Sequence, residues 1–399
     1  MSLSNLLIKL IFVSSSNLSN RKSLSGTSFY IKKTLEQHIG EVEVIDRLRP
    51  EDNSLKNILF NPGFYWRFFV VRVKKLFWKL FSKNYECERT SLISKYYAKK
   101  IEKIIKGKKY DFIIADKGSI VVAYLKTNIP IIYISDTTFN LMVDFYPGFS
   151  NLASSAIKEG NLLEQRGINN AALCIYRSRW AANSAIRDYG ANEEKVKVIY
   201  HGPNIELSLL PTHEEIVNKK MAKECNLLLI GVDWYRKGCD IAIEAVEELN
   251  KMDIDAKLTI CGCTPPPPPL KLSRYVKIIP YLDKNKKEDM EKITSLYKNA
   301  TYFILPTRAE TFGFVLLEAC SFGVPICATN VGGIPEIIRD GQNGYIFSIN
   351  DDGKKYAEKI ANNFKNPQEY KKMSMNAFAL YDRECNWKQW AENLRKLLK

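Results

Sequence analysis

The chain has 399 residues, 46% of them hydrophobic and 26% charged, which suffices for two globular domains and excludes a disordered or low-complexity protein. Its nine cysteines are odd in number and scattered, with only Cys261 and Cys263 close together, so neither a disulfide scaffold nor a zinc set is expected and a reducing, cytoplasmic setting fits best. The net charge of +15 is uneven: residues 1–200 hold 31 Lys/Arg and 18 Asp/Glu, and residues 67–109 alone hold 14 basic and 3 acidic residues, a local excess that points to an anionic partner surface.

In chain order, residues 6–13 read as a first core strand, short and interrupted by Lys9, so neither a signal peptide nor a membrane span is expected there. The following loop ends in Ser25-Gly26-Thr27. Gly26 lets backbone approach a ligand, and Thr27 or Ser28 is placed to cap a helix over 28–38. A short strand over 43–45 precedes two helices, 64–82 and 90–105. The first carries Arg67, Arg72, Lys74, Lys75 and Lys79 with no acid, and Trp66, Phe69, Val70, Val73, Leu76, Phe77, Leu80 and Phe81 share one face. Aromatics opposite lysines suit an anionic membrane, and part of that apolar face is expected to pack on the domain core. No DNA- or RNA-binding motif accompanies the charge, so nucleic acid is not the expected partner. Strands over 112–115 and 129–134 follow. Asp136, just past the second, either polarises a ligand hydroxyl or simply caps. A strand over 172–175, a helix over 180–189 and a strand over 196–199 complete the first half.

The second half repeats the alternation: strand 226–230, helix 239–249, strand 257–261, strand 276–279, helix 286–297, strand 302–305, helix 314–321 and strand 325–328. Two long helices, 368–381 and 387–398, end the chain. Pro265–Pro269 form a stiff loop. Strands alternating with helices imply parallel sheets covered on both faces, here two Rossmann-like halves joined near 201–213. Ligands then bind beyond the carboxyl ends of strands, where the loop 14–27, Asp136, the loop 231–238 and Glu310 all lie.

Two of these loops carry chemistry. Gly231 to Gly238 includes Arg236 and Lys237, adjacent cations able to steady an anion without metal. Glu310 sits in a turn closed by Gly313, and Glu318 lies about two helical turns further on. The helix opening at Gly313 offers unpaired backbone N–H groups to an anion, and the carboxylates accept from sugar hydroxyls. Asp253-Ile254-Asp255 matches an Asp-x-Asp metal triplet but precedes its strand, on the wrong edge of the sheet, and is expected to be a turn. None of His38, His201 and His213 offers itself as a general base.

Pro306-Thr307-Arg308, Phe312-Gly313, Glu318-Ala319, Gly323-Val324-Pro325, Gly332-Gly333-Ile334-Pro335-Glu336, Asp340-Gly341 and Gly344, with two glutamates separated by seven residues, resemble the retaining glycosyltransferases of family 4. The likeness is strong over 227–347 and traceable before it. It implies a GT-B fold: an acceptor-binding domain over 1–205 and a nucleotide-sugar domain over 206–380 facing across a cleft, and a last helix over 381–399 crossing back. It implies Glu310 as a catalytic residue, against the transferred sugar; Asp136 stands at or near the place where many relatives have a histidine, and its carboxylate is assigned a second catalytic role, polarising the acceptor hydroxyl or meeting the donor sugar. Donor binding falls to Arg236, Lys237, Gly26, Thr27, Phe312, Gly313, Phe314, Val315 and Glu318, the last holding ribose hydroxyls. Val232 stands where relatives have an arginine, a charge assigned here to Arg236, and Thr311 replaces a smaller residue. The implied activity moves a sugar from a UDP- or GDP-linked donor to a glycan or glycolipid acceptor, with no cofactor and no metal. The protein would lie peripherally on the inner face of a membrane, held by the basic segment 64–109. A nucleotide-sugar epimerase of the same fold and a non-catalytic scaffold are the alternatives.

Overall fold

The computed structural model describes residues 8–22, 26–50, 61–266 and 273–398. Leu6, Leu7, Ser25 and Pro267–Pro269, which belong to the expected first strand, Gly26 motif and polyproline loop, lie outside the described residues. The chain divides into two compact units, Met1–Ile199 with Ala391–Lys399, and Tyr200–Trp390.

The first unit is built on a parallel sheet of β1 (Ile8–Val13), β2 (Gly40–Ile45), β3 (Phe112–Asp116), β4 (Ile131–Ser135), β5 (Leu173–Tyr176) and β6 (Val196–Val198), in the order β2-β1-β3-β4-β5-β6. The four inner strands read IKLIFV, FIIAD, IIYIS and LCIY and are almost wholly buried, as expected of a sheet covered on both faces. The helix Ser91–Ile105 lays Ile93, Tyr97, Ile101 and Ile105 on the sheet, a stripe at helical spacing, and Thr90 caps it by accepting from the Ile93 N–H.

The helix Pro62–Lys79 buries a different face from the one expected. Phe64, Phe68, Val71 and Trp78 pack on the core, with Phe64 stacked on Tyr97 at 6.3 Å. Trp66, Phe69, Val73, Leu76, Phe77, Leu80 and Phe81 stay exposed, Trp66 to 67% and Leu80 to 82%. The helix is therefore apolar on two opposite faces. The sequence alone did not reveal this, because the core-facing and outward residues interleave at the same helical spacing.

A helix over Ser154–Asn170 was not expected, since Gly160, Gly167 and several asparagines lower its propensity. Packing overrides that. A Cβ on Gly160 would lie 2.3 Å from the Phe139 ring, so only glycine lets the helix approach so closely.

The second unit holds β7 (Cys225–Ile230), β8 (Ala256–Cys261), β9 (Val276–Ile279), β10 (Tyr302–Leu305), β11 (Ile326–Thr329) and β12 (Gly344–Phe347), parallel throughout, in the order β12-β11-β10-β7-β8-β9. The last strand and the helix Gly353–Phe364 were also unforeseen. The helices Cys239–Lys251 and Phe314–Ser321 follow β7 and β10. The strand order reverses between β7 and β10 here, and between β1 and β3 in the first unit. These switch points are where open parallel sheets bind ligands.

Candidate functional site

The loops leaving β7 and β10 meet at the switch point of the second unit. The Lys237 ammonium donates to Glu310 Oε2 at 2.5 Å, and Arg236 Nη1 donates to the Ala309 carbonyl at 3.0 Å. Arg236 also lies 4.0 Å from the Glu310 carboxylate and is held by Asp233, which accepts from its backbone N–H at 3.0 Å. The two loops are tied again through the Arg236 carbonyl, which accepts from the Thr307 hydroxyl at 2.9 Å and from the Arg308 N–H at 2.7 Å. Arg308 grips both carboxylate oxygens of Asp240, at 2.9 and 2.7 Å, and lies over the Tyr235 ring. Such a fork-to-fork pair fixes orientation as well as charge. Sequence reasoning missed this tie.

Gly313 adopts a left-handed conformation, φ +88°, and opens the helix Phe314–Ser321, whose first turn holds no acid to compete for an incoming anion. The Phe312 side chain is buried in the core, so any contact it makes with a donor is through its backbone; Phe314 and Val315 pack partly buried beside it. Glu310 is fixed from behind by Gly332. A Cβ there would come within 1.9 Å of the Glu310 carbonyl, and φ is +56°, so the turn needs glycine on both counts. Glu318 lies inward, 1% exposed, accepting from Lys284 at Oε1 and from the Tyr297 hydroxyl at Oε2 at 2.9 Å. Asp253-Ile254-Asp255 is a connector turn, with Asp253 at φ +59° and the Asp255 carbonyl accepting from Cys225 N.

The first unit has its own cluster at the carboxyl ends of β3, β4 and β5. Arg177 bridges two carboxylates, Asp116 at 2.6 Å and Asp136 at 3.4 Å, and Lys117 reaches Asp136 at 2.9 Å. Burial acts to raise the Asp136 carboxyl, but the Lys117 and Arg177 cations overcome it and hold the group far below the usual carboxylate range. Asp136 does not cap a helix; the next helical turn takes Thr138 at its N-cap. The N-cap of Thr27–His38 is Gly26, φ +85°, and Thr27 is buried. Ser28 spends its hydroxyl on Asp116 at 2.6 Å rather than on capping. Asp116, Lys117 and Arg177 each stand immediately past or at the end of a strand, so the rule that singled out Asp136 would have found them too.

Two protein-family descriptions match the chain: "Glycosyl transferases group 1" over residues 213–380 and "Glycosyltransferase Family 4" over residues 41–207. The chain belongs to the family 4 glycosyltransferases. A D-inositol 3-phosphate glycosyltransferase of Corynebacterium diphtheriae is 27% identical to this family 4 chain over 208 residues, 48% of the chain and 47% of that relative. The match thus spans about half the length of this relative, as it does for the other curated relatives compared. Among solved structures, a glycosyltransferase from Rickettsia africae covers 99% of the chain and 98% of its own, with a TM-score of 0.66 and 16% identity. Anabaena HepE, solved with UDP and glucose, covers 98% and 99% with a TM-score of 0.62 and 18% identity. At these identities the likeness is one of fold, and that fold is GT-B.

Proposed function

We propose that the chain is a retaining, metal-independent glycosyltransferase that moves a sugar from a nucleotide diphosphate sugar to a lipid-linked or surface-polysaccharide acceptor. The observation that carries this reading is the Lys237–Glu310 pair at a switch point, beside a helix N-terminus opened by Gly313. Breaking the bond from the anomeric carbon to a phosphate oxygen leaves negative charge on the diphosphate. Arg236, Lys237 and the N–H groups of the helix Phe314–Ser321 steady that charge, with no reorganisation at the moment of reaction. An ammonium has three donors, so pairing with Glu310 leaves Lys237 capacity for phosphate. Glu310 accepts from the sugar hydroxyls and Glu318 from the ribose. The UDP-glucose bound by HepE is the kind of donor this arrangement suits.

Asp136 is held ionised and weakly basic, so it serves as a hydrogen-bond acceptor for an acceptor hydroxyl rather than as the base. The acceptor proton then passes to the departing phosphate oxygen as the new glycosidic bond forms, on the face the phosphate leaves. Gly26 and Thr27, at the carboxyl edge of the same sheet, contribute backbone donors. Replacing Glu310 with Gln, which keeps shape and removes charge, tests the core of the reading: transfer from a panel of UDP- and GDP-sugars should be lost, and undiminished turnover would end it.

The bare stripe of the helix Pro62–Lys79 supports attachment to an anionic membrane surface. Seven apolar side chains are exposed, and 14 basic residues against 3 acidic ones surround them over 67–109. Aromatic rings enter the headgroup boundary while flanking lysines meet lipid phosphate. No helix among the described residues is long and apolar enough to cross a membrane. Changing Lys74, Lys75 and Lys79 to Gln should weaken binding to phosphatidylserine vesicles by about a hundredfold at low salt. Unchanged binding would remove the membrane from the reading. Nine unpaired cysteines suit a site on the cytoplasmic side.

A further inference from the structure

Lys284 lies on the loop between β9 and the helix Lys287–Asn299, outside every motif that marked the site. Its ammonium pairs with Glu318 Oε1 and donates to the Asn204 carbonyl at 3.2 Å. The Lys284 side chain is 16% exposed, and Glu318 lies beneath it. The other Glu318 oxygen is met by Tyr297, a buried phenol pushed well above its ordinary value by burial and by the Glu318 charge, so it remains a donor at any physiological pH. Lys284 and Tyr297 are the charged or titratable groups that bond to this carboxylate from neighbouring elements. On its own helix, burial pushes the Cys320 thiol up to about 12, which keeps it neutral. His201 meets the same helix one turn earlier, at Phe314, with ring centres 6.2 Å apart.

A carboxylate with almost no solvent stays ionised only if a cation and hydrogen bonds replace water. Lys284 is the cation within bonding distance. A carboxylate offers about four acceptor sites; Lys284 and Tyr297 use two, and two suffice for a ribose diol. A protonated carboxyl turns one oxygen into a donor and no longer matches two incoming hydroxyls.

We infer that Lys284 is a positioning residue: it supplies the positive charge that faces buried Glu318 and aims its carboxylate, so that nucleotide binding depends on that charge. This rests on the reading of Glu318 as the ribose-holding group. The cation does not reach the transferred sugar; it acts through the glutamate.

The test is calorimetric titration of the full chain from pH 5.5 to 8.5 with UDP-glucose, UDP-N-acetylglucosamine and GDP-mannose, using the one that binds tightest. The phosphates of these diesters do not titrate in that range. The unaltered chain should bind with an affinity that changes little across the range. Lys284→Met leaves a buried carboxylate with the Tyr297 hydroxyl but no counter-charge, so affinity should fall about tenfold or more as pH drops from 8.5 to 5.5. Lys284→Arg keeps the charge and should restore the flat profile. Lys284→Met with Glu318→Gln has no carboxyl to titrate and should bind weakly at every pH. A flat profile in Lys284→Met, or a sloped one in Lys284→Arg, overturns the inference, because a merely structural lysine would change affinity without slope. If Lys284→Met does not fold, Lys284→Gln, which keeps a donor but no charge, is read the same way. Glu318→Gln alone separates the two claims. Unweakened binding there ends the ribose reading, whereas weakened binding leaves only Lys284 at stake. Binding of none of the three donors ends both.

Discussion

Both units are built on a six-stranded parallel sheet, yet the charges at the carboxyl edges of the two sheets are disposed in opposite ways. In the first, Arg177 and Asp116 are wholly buried and face each other, with Asp136 and Lys117 closing the cluster. In the second, Lys237 is buried but Arg236 and Glu310 are partly exposed, and all three lie beside a helix N-terminus without an acid in its first turn. The same sheet edge can thus be locked or held ready. A guanidinium that is already bridging two carboxylates braces a fold, whereas a cation pinned by one carboxylate still has donors to offer a ligand.

The sharpest way to break this contrast is at its buried extreme. Arg177→Met leaves Asp116 buried without its cation and Asp136 with Lys117 alone, and should cost about 3–5 kcal/mol of stability, read as a shifted urea midpoint. A loss under about 1 kcal/mol, on the scale of exposed pairs, would mean the first cluster is no brace. At the other extreme, Glu310→Gln should leave the melt nearly unchanged and slow transfer by about a hundred- to a thousandfold. An equal loss of stability would merge the two regions into one kind of structure.

A pH titration sharpens the comparison without mutation. The folded Asp136 carboxyl is depressed below its unfolded value. Its contribution to stability is therefore fully present above the unfolded value of about 4 and is lost as pH falls toward the folded one. Urea melts should hold steady from pH 7 to about 5 and weaken below about 4, less steeply in Asp136→Asn. An identical acid limb in that variant would show that other carboxylates govern it. The smallest effect belongs to Arg308→Ala. Its pair with Asp240 is partly exposed, so about 0.5–1 kcal/mol is at issue. Donor affinity should also fall modestly, since the Tyr235 loop is then less tightly held.

Much of this arrangement was legible in the sequence because buried parallel strands are near-continuous apolar runs. Those at 112–115, 226–230 and 302–305 stand in the structure with at most one residue added. The helix Ser154–Asn170 was illegible for a specific reason: its glycines exist to admit Phe139 and Ser119, a fact about distant residues. At the site, Arg236, Lys237, Glu310 and Glu318 were visible as a spaced motif. Lys284, lying among other lysines in Lys284-Asn285-Lys286-Lys287, had no local mark at all, since its significance depends on a glutamate 34 residues away. The outward stripe of Pro62–Lys79 was seen, but part of it was expected to pack on the core, a task that falls to Phe64, Phe68, Val71 and Trp78, because periodicity reports a face and not its neighbour.

The clearance between Gly332 and the Glu310 carbonyl has a hereditary consequence. The carbonyl belongs to the backbone, so any residue at 310 imposes the same limit, and a recombinant that took a side chain at 332 would collide at the reacting turn. Crossovers between codons 310 and 332 should therefore be tolerated in library shuffling whenever the parent supplying the second position carries glycine there.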